Sequence, residues 1–180
     1  WTVFAARGAR LALAAAGFGL AFLAVAAPAQ NGEPAAPEKQ LAEWRAAFEQ
    51  GRYQEASAGL REFTRKNAAW PKLDDARLLY AQSLVMSGEI AAGTERLDRL
   101  VEENPQGPHA PAARFFRGRA KEALGDFPGA VLEYRAVWEG TPKHELAAGA
   151  ALEEAVLAEK ILGNPKRAQE AYARFVELYP

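Results

Sequence analysis

The sequence has no cysteine, and it has only two histidines and one methionine. Without cysteine there can be no disulfide, no thiolate metal site and no thiol nucleophile. The two histidines, His109 and His144, are too far apart in sequence to form an HxxxH or HExxH metal pair. Each lies beside a proline, Pro108 or Pro142, where a helix would start, and reads as a solvated residue there. None of Ser57, Ser83 and Ser87 stands in a GxSxG elbow. Outside the first segment there is no glycine-rich phosphate loop. Asp74-Asp75 and Glu153-Glu154 are adjacent carboxylates. Neighbours on a helix diverge by about 100°, so these pairs do not converge on one substrate and read as solvated. The expectation is no catalytic residue, no metal and no cofactor, hence no enzyme.

Charge of one sign is also missing. The formal net charge is −1, with no long run of either sign. A nucleic-acid binder needs a concentrated basic face, so no nucleic-acid partner is expected. Valine and isoleucine are scarce and alanine dominates, which favours helix over sheet. A hydrophobic share of 49% beside 25% charged residues is the mix of a folded soluble protein.

Residues 1–29 stand apart. They hold Arg7 and Arg10, no acid, an apolar run from Leu11 to Ala27, and a closing Ala27-Pro28-Ala29. A basic start, an apolar middle and a small-x-small end make a secretory signal peptide. A retained signal anchor is the rival, because the run lies at the lower edge of bilayer-spanning length. Membrane contact is expected only through residues 11–27, if the signal is not cleaved. With Arg7 and Arg10 removed, Lys+Arg falls from 22 to 20 against 23 Asp+Glu, so the remainder carries −3. Residues 30–37, rich in Pro and Ala, read as a linker. The reading places the protein in the periplasm or another extracytoplasmic space.

A repeat fills residues 38–180. Gly51, Gly88, Gly125 and Gly163 are spaced by 37, 37 and 38 residues. After each glycine comes a small residue: Ala56, Gly93, Ala130 or Ala168. A large residue follows, Leu60, Leu97, Tyr134 or Tyr172, and then another, Phe63, Leu100, Val137 or Phe175. Pro105, Pro142 and Pro180 close three units, each 17 residues after its glycine, and Pro71 closes the first late. Glycine ends a helix in the left-handed conformation. Asp126 and Asn164 suit N-caps, and Pro165 suits a first turn. The large residues, four and three apart, share one helical face. This spacing predicts eight helices, near 38–50, 53–68, 73–87, 89–104, 110–124, 127–140, 144–162 and 165–179.

The pattern resembles the tetratricopeptide repeat family. Repeat three matches it best, with Gly118, Gly125, Phe127, Ala130, Tyr134 and Pro142 at family positions. Ala81 stands where the family prefers Gly, Gly93 where it prefers Ala, and Trp44 and Val156 at its usual small position. The period is about three residues longer than the usual 34. With the closing phrase Phe175-Val176-Glu177-Leu178-Tyr179-Pro180, it is similar to periplasmic members such as the Tol–Pal coordinator CpoB/YbgF and BamD-like repeat domains. BamD-like proteins are acylated on a cysteine that this chain lacks, which favours the CpoB-like branch.

The resemblance implies an all-α, right-handed superhelix of antiparallel helix pairs, about four repeats, with no single central core. It also implies a concave groove, built mainly from the first helix of each pair, that holds a peptide or a helix. Family groove positions fall on Leu41, Arg45 and Phe48, then Leu78, Gln82 and Val85, then Phe115, Arg119 and Glu122. In repeat four they fall on Glu153, Leu157 and Lys160. Of the pair Phe115-Phe116, the expectation puts Phe116 in the core and Phe115 in the groove. The expected function is an exported scaffold in envelope assembly or cell division with a protein or peptide partner. A homo-oligomer through the uncovered last helix is compatible with the pattern. The start at Trp1 and the end at Pro180 also suit a repeat module cut from a larger enzyme or membrane-associated protein.

Overall fold

The computed structural model describes residues 37–161 and 163–179. The expected leader at 1–29 and all of the linker but Pro37 lie outside the described residues, as does the Lys160 side chain. The described residues form α1 (Pro37–Glu49), α2 (Tyr53–Lys66), α3 (Leu73–Ser87), α4 (Ile90–Glu103), α5 (Ala110–Ala123), α6 (Phe127–Gly140), α7 (Ala147–Lys160) and α8 (Pro165–Leu178). Pro37 is thus the first residue of α1 rather than the last of a linker. A proline is suited there, since the first N–H of a helix has no intrahelical acceptor. None of these helices is long and apolar enough to cross a membrane.

Within each pair, the turn is set by the repeat glycine. Gly51, Gly88, Gly125 and Gly163 all have positive φ, between 57° and 93°. At Gly88 the glycine N–H bonds to Val85 O at 3.1 Å, and Glu89 N–H bonds to Leu84 O at 2.8 Å. Gly51 with Arg52 and Gly125 with Asp126 make the same two bonds, a Schellman motif that satisfies carbonyls left open at the helix end. The last turn is wider, with Asn164 N–H reaching back to Ala158 O at 2.9 Å. The extra residue of the 38-residue spacing therefore lies inside this turn. Asp126 and Asn164 then cap the next helices, accepting from Gly129 N–H and Arg167 N–H at 3.0 Å each.

Between pairs, a second connection recurs. Two short turns follow each other at Asn67–Trp70–Leu73, Asn104–Gly107–Ala110 and Thr141–His144–Ala147, closed by backbone bonds of 2.9–3.1 Å. The third delays α7 to Ala147, three residues later than the spacing predicts. There His144 Nδ1 accepts from Leu146 N–H at 3.1 Å, so this histidine serves the helix start.

Three apolar clusters follow one another along the array. The first joins Leu41, Leu60, Phe63 and Leu84; the next joins Val85, Leu97, Val101 and Ala113; the last joins Val131, Tyr134, Val137 and Ala151. Each fully buried leucine or valine stabilises its own seam by roughly 1.5–3 kcal/mol. Each helix packs on the next, α1 through α8 in order. In addition α1 touches α3 and α3 touches α5, which puts the first helices on the inner side of the curve. The result is the expected superhelix of antiparallel pairs.

Close approach within a pair depends on a small residue facing a large one. A Cβ added to Gly118 would sit 2.6 Å from Cε1 of the fully buried Tyr134. Repeat one reverses the sizes: Trp44, at the usual small position of α1, lies over Gly59 of α2, where a Cβ would collide with the indole.

Candidate partner-binding groove

The inner side of the array is lined by α1, α3, α5 and α7, and its chemistry changes along its length. At the first end Phe48 is half-buried, with its ring centroid 5.2 Å from Tyr53 and 6.3 Å from Phe116. Phe116 lies 5.6 Å from Phe115, which lies 5.4 Å from Tyr134. These edge-on and tilted contacts make a continuous aromatic seam from α1 across to α5 and α6. The Phe48–Phe116 contact joins repeat one directly to repeat three, whereas repeats in such an array ordinarily touch only their neighbours. Leu78 and Gln82 of α3 are half-buried on the same side.

Farther along, Arg119 of α5 donates from Nη1 to Glu153 Oε1 of α7 at 3.0 Å. Both side chains are partly exposed, so the pair stays within reach of a ligand. Beside it, Tyr134 donates its hydroxyl proton to Glu122. Burial, and then the Glu122 carboxylate, push the Tyr134 phenol well above its ordinary value. Tyr134 is therefore a fixed neutral donor that holds Glu122 in place.

The groove positions expected from sequence divide into three sets. Phe48, Leu78, Gln82, Phe115, Arg119, Glu122 and Glu153 keep some exposure on the inner side. Leu41 and Val85, each 6% exposed, and Leu157 are instead part of the apolar clusters and offer a ligand little surface. Their side of the first helix turns inward to the stack. Arg45 is exposed and stands apart, in a shallow pocket of about 290 Å³ with Glu38, Glu49, Trp70 and Asp75. Lys160's side chain lies outside the described residues.

Two other expectations need correction. Phe115 and Phe116 do not divide into groove and core: both are half-buried, Phe115 on the α6–α7 cluster and Phe116 on the α3–α5 cluster, where it meets Phe48. Adjacent residues diverge by about 100°, and here each ring fills a different seam. Glu153-Glu154 is not a solvated pair either, because Glu154 is 0% exposed. Glu154 accepts from Trp138 Nε1 at 2.8 Å, from Arg167 Nε at 3.4 Å and from Arg135. The repeat register was the missed signal: in the 37-residue spacing of the helix starts Leu73, Ala110 and Ala147, Glu154 stands where the buried Tyr80 and the half-buried Arg117 stand, and Arg117 pairs with Asp98 of α4 as Glu154 pairs with Arg135 of α6.

Ser83 is buried and donates to Leu79 O at 2.7 Å, leaving it tied to its own helix. His109 starts α5, with Nε2 3.2 Å from Asp75 Oδ1. Among the described residues no group of three or more His, Cys, Asp or Glu is placed to hold a metal ion. The inner side therefore offers aromatic surface, one exposed ion pair and amide hydrogen bonding.

Family models described as tetratricopeptide repeat match residues 47–114 and 150–180. The chain is a tetratricopeptide-repeat protein. The stretch between the two matches contains most of α5 and all of α6, so the repeat continues through it. Two solved structures of MamA AMB-1 superpose on this tetratricopeptide array with TM-scores of 0.56 and 0.55. Each is 18% identical and covers 79% of this chain, over 78% and 72% of its own length. At that identity the likeness establishes the superhelical fold. No curated protein matches the chain.

Proposed function

We propose that this chain is an extracytoplasmic scaffold that holds a peptide or an amphipathic helix of a partner protein along its inner groove. The observation that carries this reading is the partly exposed row Phe48, Leu78, Gln82, Phe115, Phe116 and Arg119 on the first helices. Aromatic side chains and arginine carry much of the energy where proteins meet. Apolar anchors flanked by one ion pair suit an extended or helical segment with apolar residues at regular spacing. The leader-like residues 1–29 and the long repeat period support placement outside the cytoplasm and a role in envelope assembly or cell division. In that respect the chain is similar to the periplasmic CpoB/YbgF and BamD-like repeat proteins. The reading assigns the groove recognition and no chemistry.

Peptide selection from a random library tests this. Selected peptides should bind the parent and lose on the order of 100-fold in affinity when Phe48, Phe115 and Arg119 are changed together to alanine, at about 1 kcal/mol or more per anchor. Equal affinity for parent and folded variant would remove the groove from the function.

A further inference from the structure

The second helix of each pair has an outer stripe that the following first helix covers. Thirteen residues after the repeat glycine, Val101 and Trp138 are 9% and 8% exposed, and the matching residue of α8, Val176, is 67% exposed. Likewise Val131 is buried, while Gln169 at the matching place is exposed. Pro165, Ala168, Tyr172, Ala173 and Val176 line an open groove of about 670 Å³ along α8. Their spacing by three and four residues puts them on one helical stripe. Tyr172 is fixed at its margin, donating to Glu159 Oε2 of α7 at 3.0 Å.

The charges beside this stripe indicate what would cover it. Lys166 and Glu177 are exposed and 11 residues apart, about three helical turns, so they lie along the same edge at opposite ends. Glu177 has only an exposed contact from Arg174, one turn back on its own helix, at 3.1 Å. A second α8 laid antiparallel would place each Lys166 over the other copy's Glu177 and each exposed Val176 against the other copy's stripe. Apolar surface then meets apolar surface, and unlike charges meet at both ends. Such self-complementarity is the requirement of a two-fold contact. Head-to-tail stacking onto α1 lacks it, because Lys39 and Glu43 are exposed on the free side of α1 where an apolar partner stripe would be needed. We infer that α8 is a self-association surface on which two copies of this chain pack antiparallel about a two-fold axis near Tyr172. This surface is separate from the groove proposed for the partner, and the two stand or fall independently.

Sedimentation velocity on the full 180-residue chain, from micromolar to several hundred micromolar, tests it. The expected result is a monomer–dimer equilibrium that Val176→Asp abolishes with its helical circular dichroism unchanged. Lys166→Glu and Glu177→Lys should each weaken the dimer by about tenfold, as two exposed ion pairs become two repulsions. An equimolar mixture of those two variants should recover parental affinity, since each then meets its opposite. A strict monomer, a growing polymer, a dimer indifferent to Val176→Asp, or a mixture no tighter than its components would each overturn the inference.

Discussion

Replacing Glu154 by alanine takes away an acceptor that Arg135, Arg167 and Trp138 share. The three donors come from α6 and α8, and Glu154 comes from α7, so one carboxylate ties three helices together. Removing one partner of a buried ion pair typically costs about 3–5 kcal/mol. That is an upper bound here, because Arg135 and Arg167 are 34% and 29% exposed and can turn to water. Trp138 cannot: it is largely buried, and leaving its indole N–H unpaired costs roughly 1–3 kcal/mol. Adding the small cavity left by the side chain, the expected loss is about 3 kcal/mol. In a domain of this size that lowers Tm by roughly 6–12 °C. Urea unfolding followed by circular dichroism measures the loss. The Trp138 indole N–H resonance in NMR follows the same seam, and in a repeat array the seam can open before the rest. A loss below about 1 kcal/mol with an unchanged Trp138 indole resonance would refute the buried network.

The remaining predictions concern single positions. Gly118→Ala gains about 1 kcal/mol of helix propensity but forces a methyl against a ring with no room to move; overpacking costs about 1–3 kcal/mol, and a net loss in urea unfolding is expected. Alanine at Gly88, where φ is +93°, should destabilise by about 1–2 kcal/mol, whereas at Gly140, with open space around it, it should stabilise by about 0.5 kcal/mol. The hydrogen bond from Arg65, and then that from Lys66, hold Glu62 at about 2 rather than 4.5. Its contribution is therefore complete above 4.5 and is lost as the pH falls towards 2. Carboxyl NMR titration should show that low midpoint at low salt and its return towards 4.5 in high salt.

The helices were legible in the sequence because their ends are local. A glycine at positive φ, and an Asp126 or Asn164 cap, act within a few residues of themselves. The Trp44–Gly59 reversal was half legible, since Trp44 stood out at a small position while its compensation lay on the next helix. Glu154 was hidden by its neighbour: an acidic pair reads as solvated, and only the register with Tyr80 and Arg117 marks the second residue as interior. The Phe48–Phe116 contact was not legible, because it depends on the curvature of the whole array and not on adjacent repeats. Groove exposure depends on that curvature too. Leu41, Val85 and Leu157 share helices with exposed groove residues yet turn into the stack.

Hydrogen exchange on the array, with and without a selected peptide, tests the groove most directly. Expected is added protection in α1, α3 and α5 around Phe48, Leu78 and Phe115, with α2, α4 and α6 unchanged. Protection confined to the second helices or to α8, with the inner side unaltered, would contradict the assignment of the groove as the partner site.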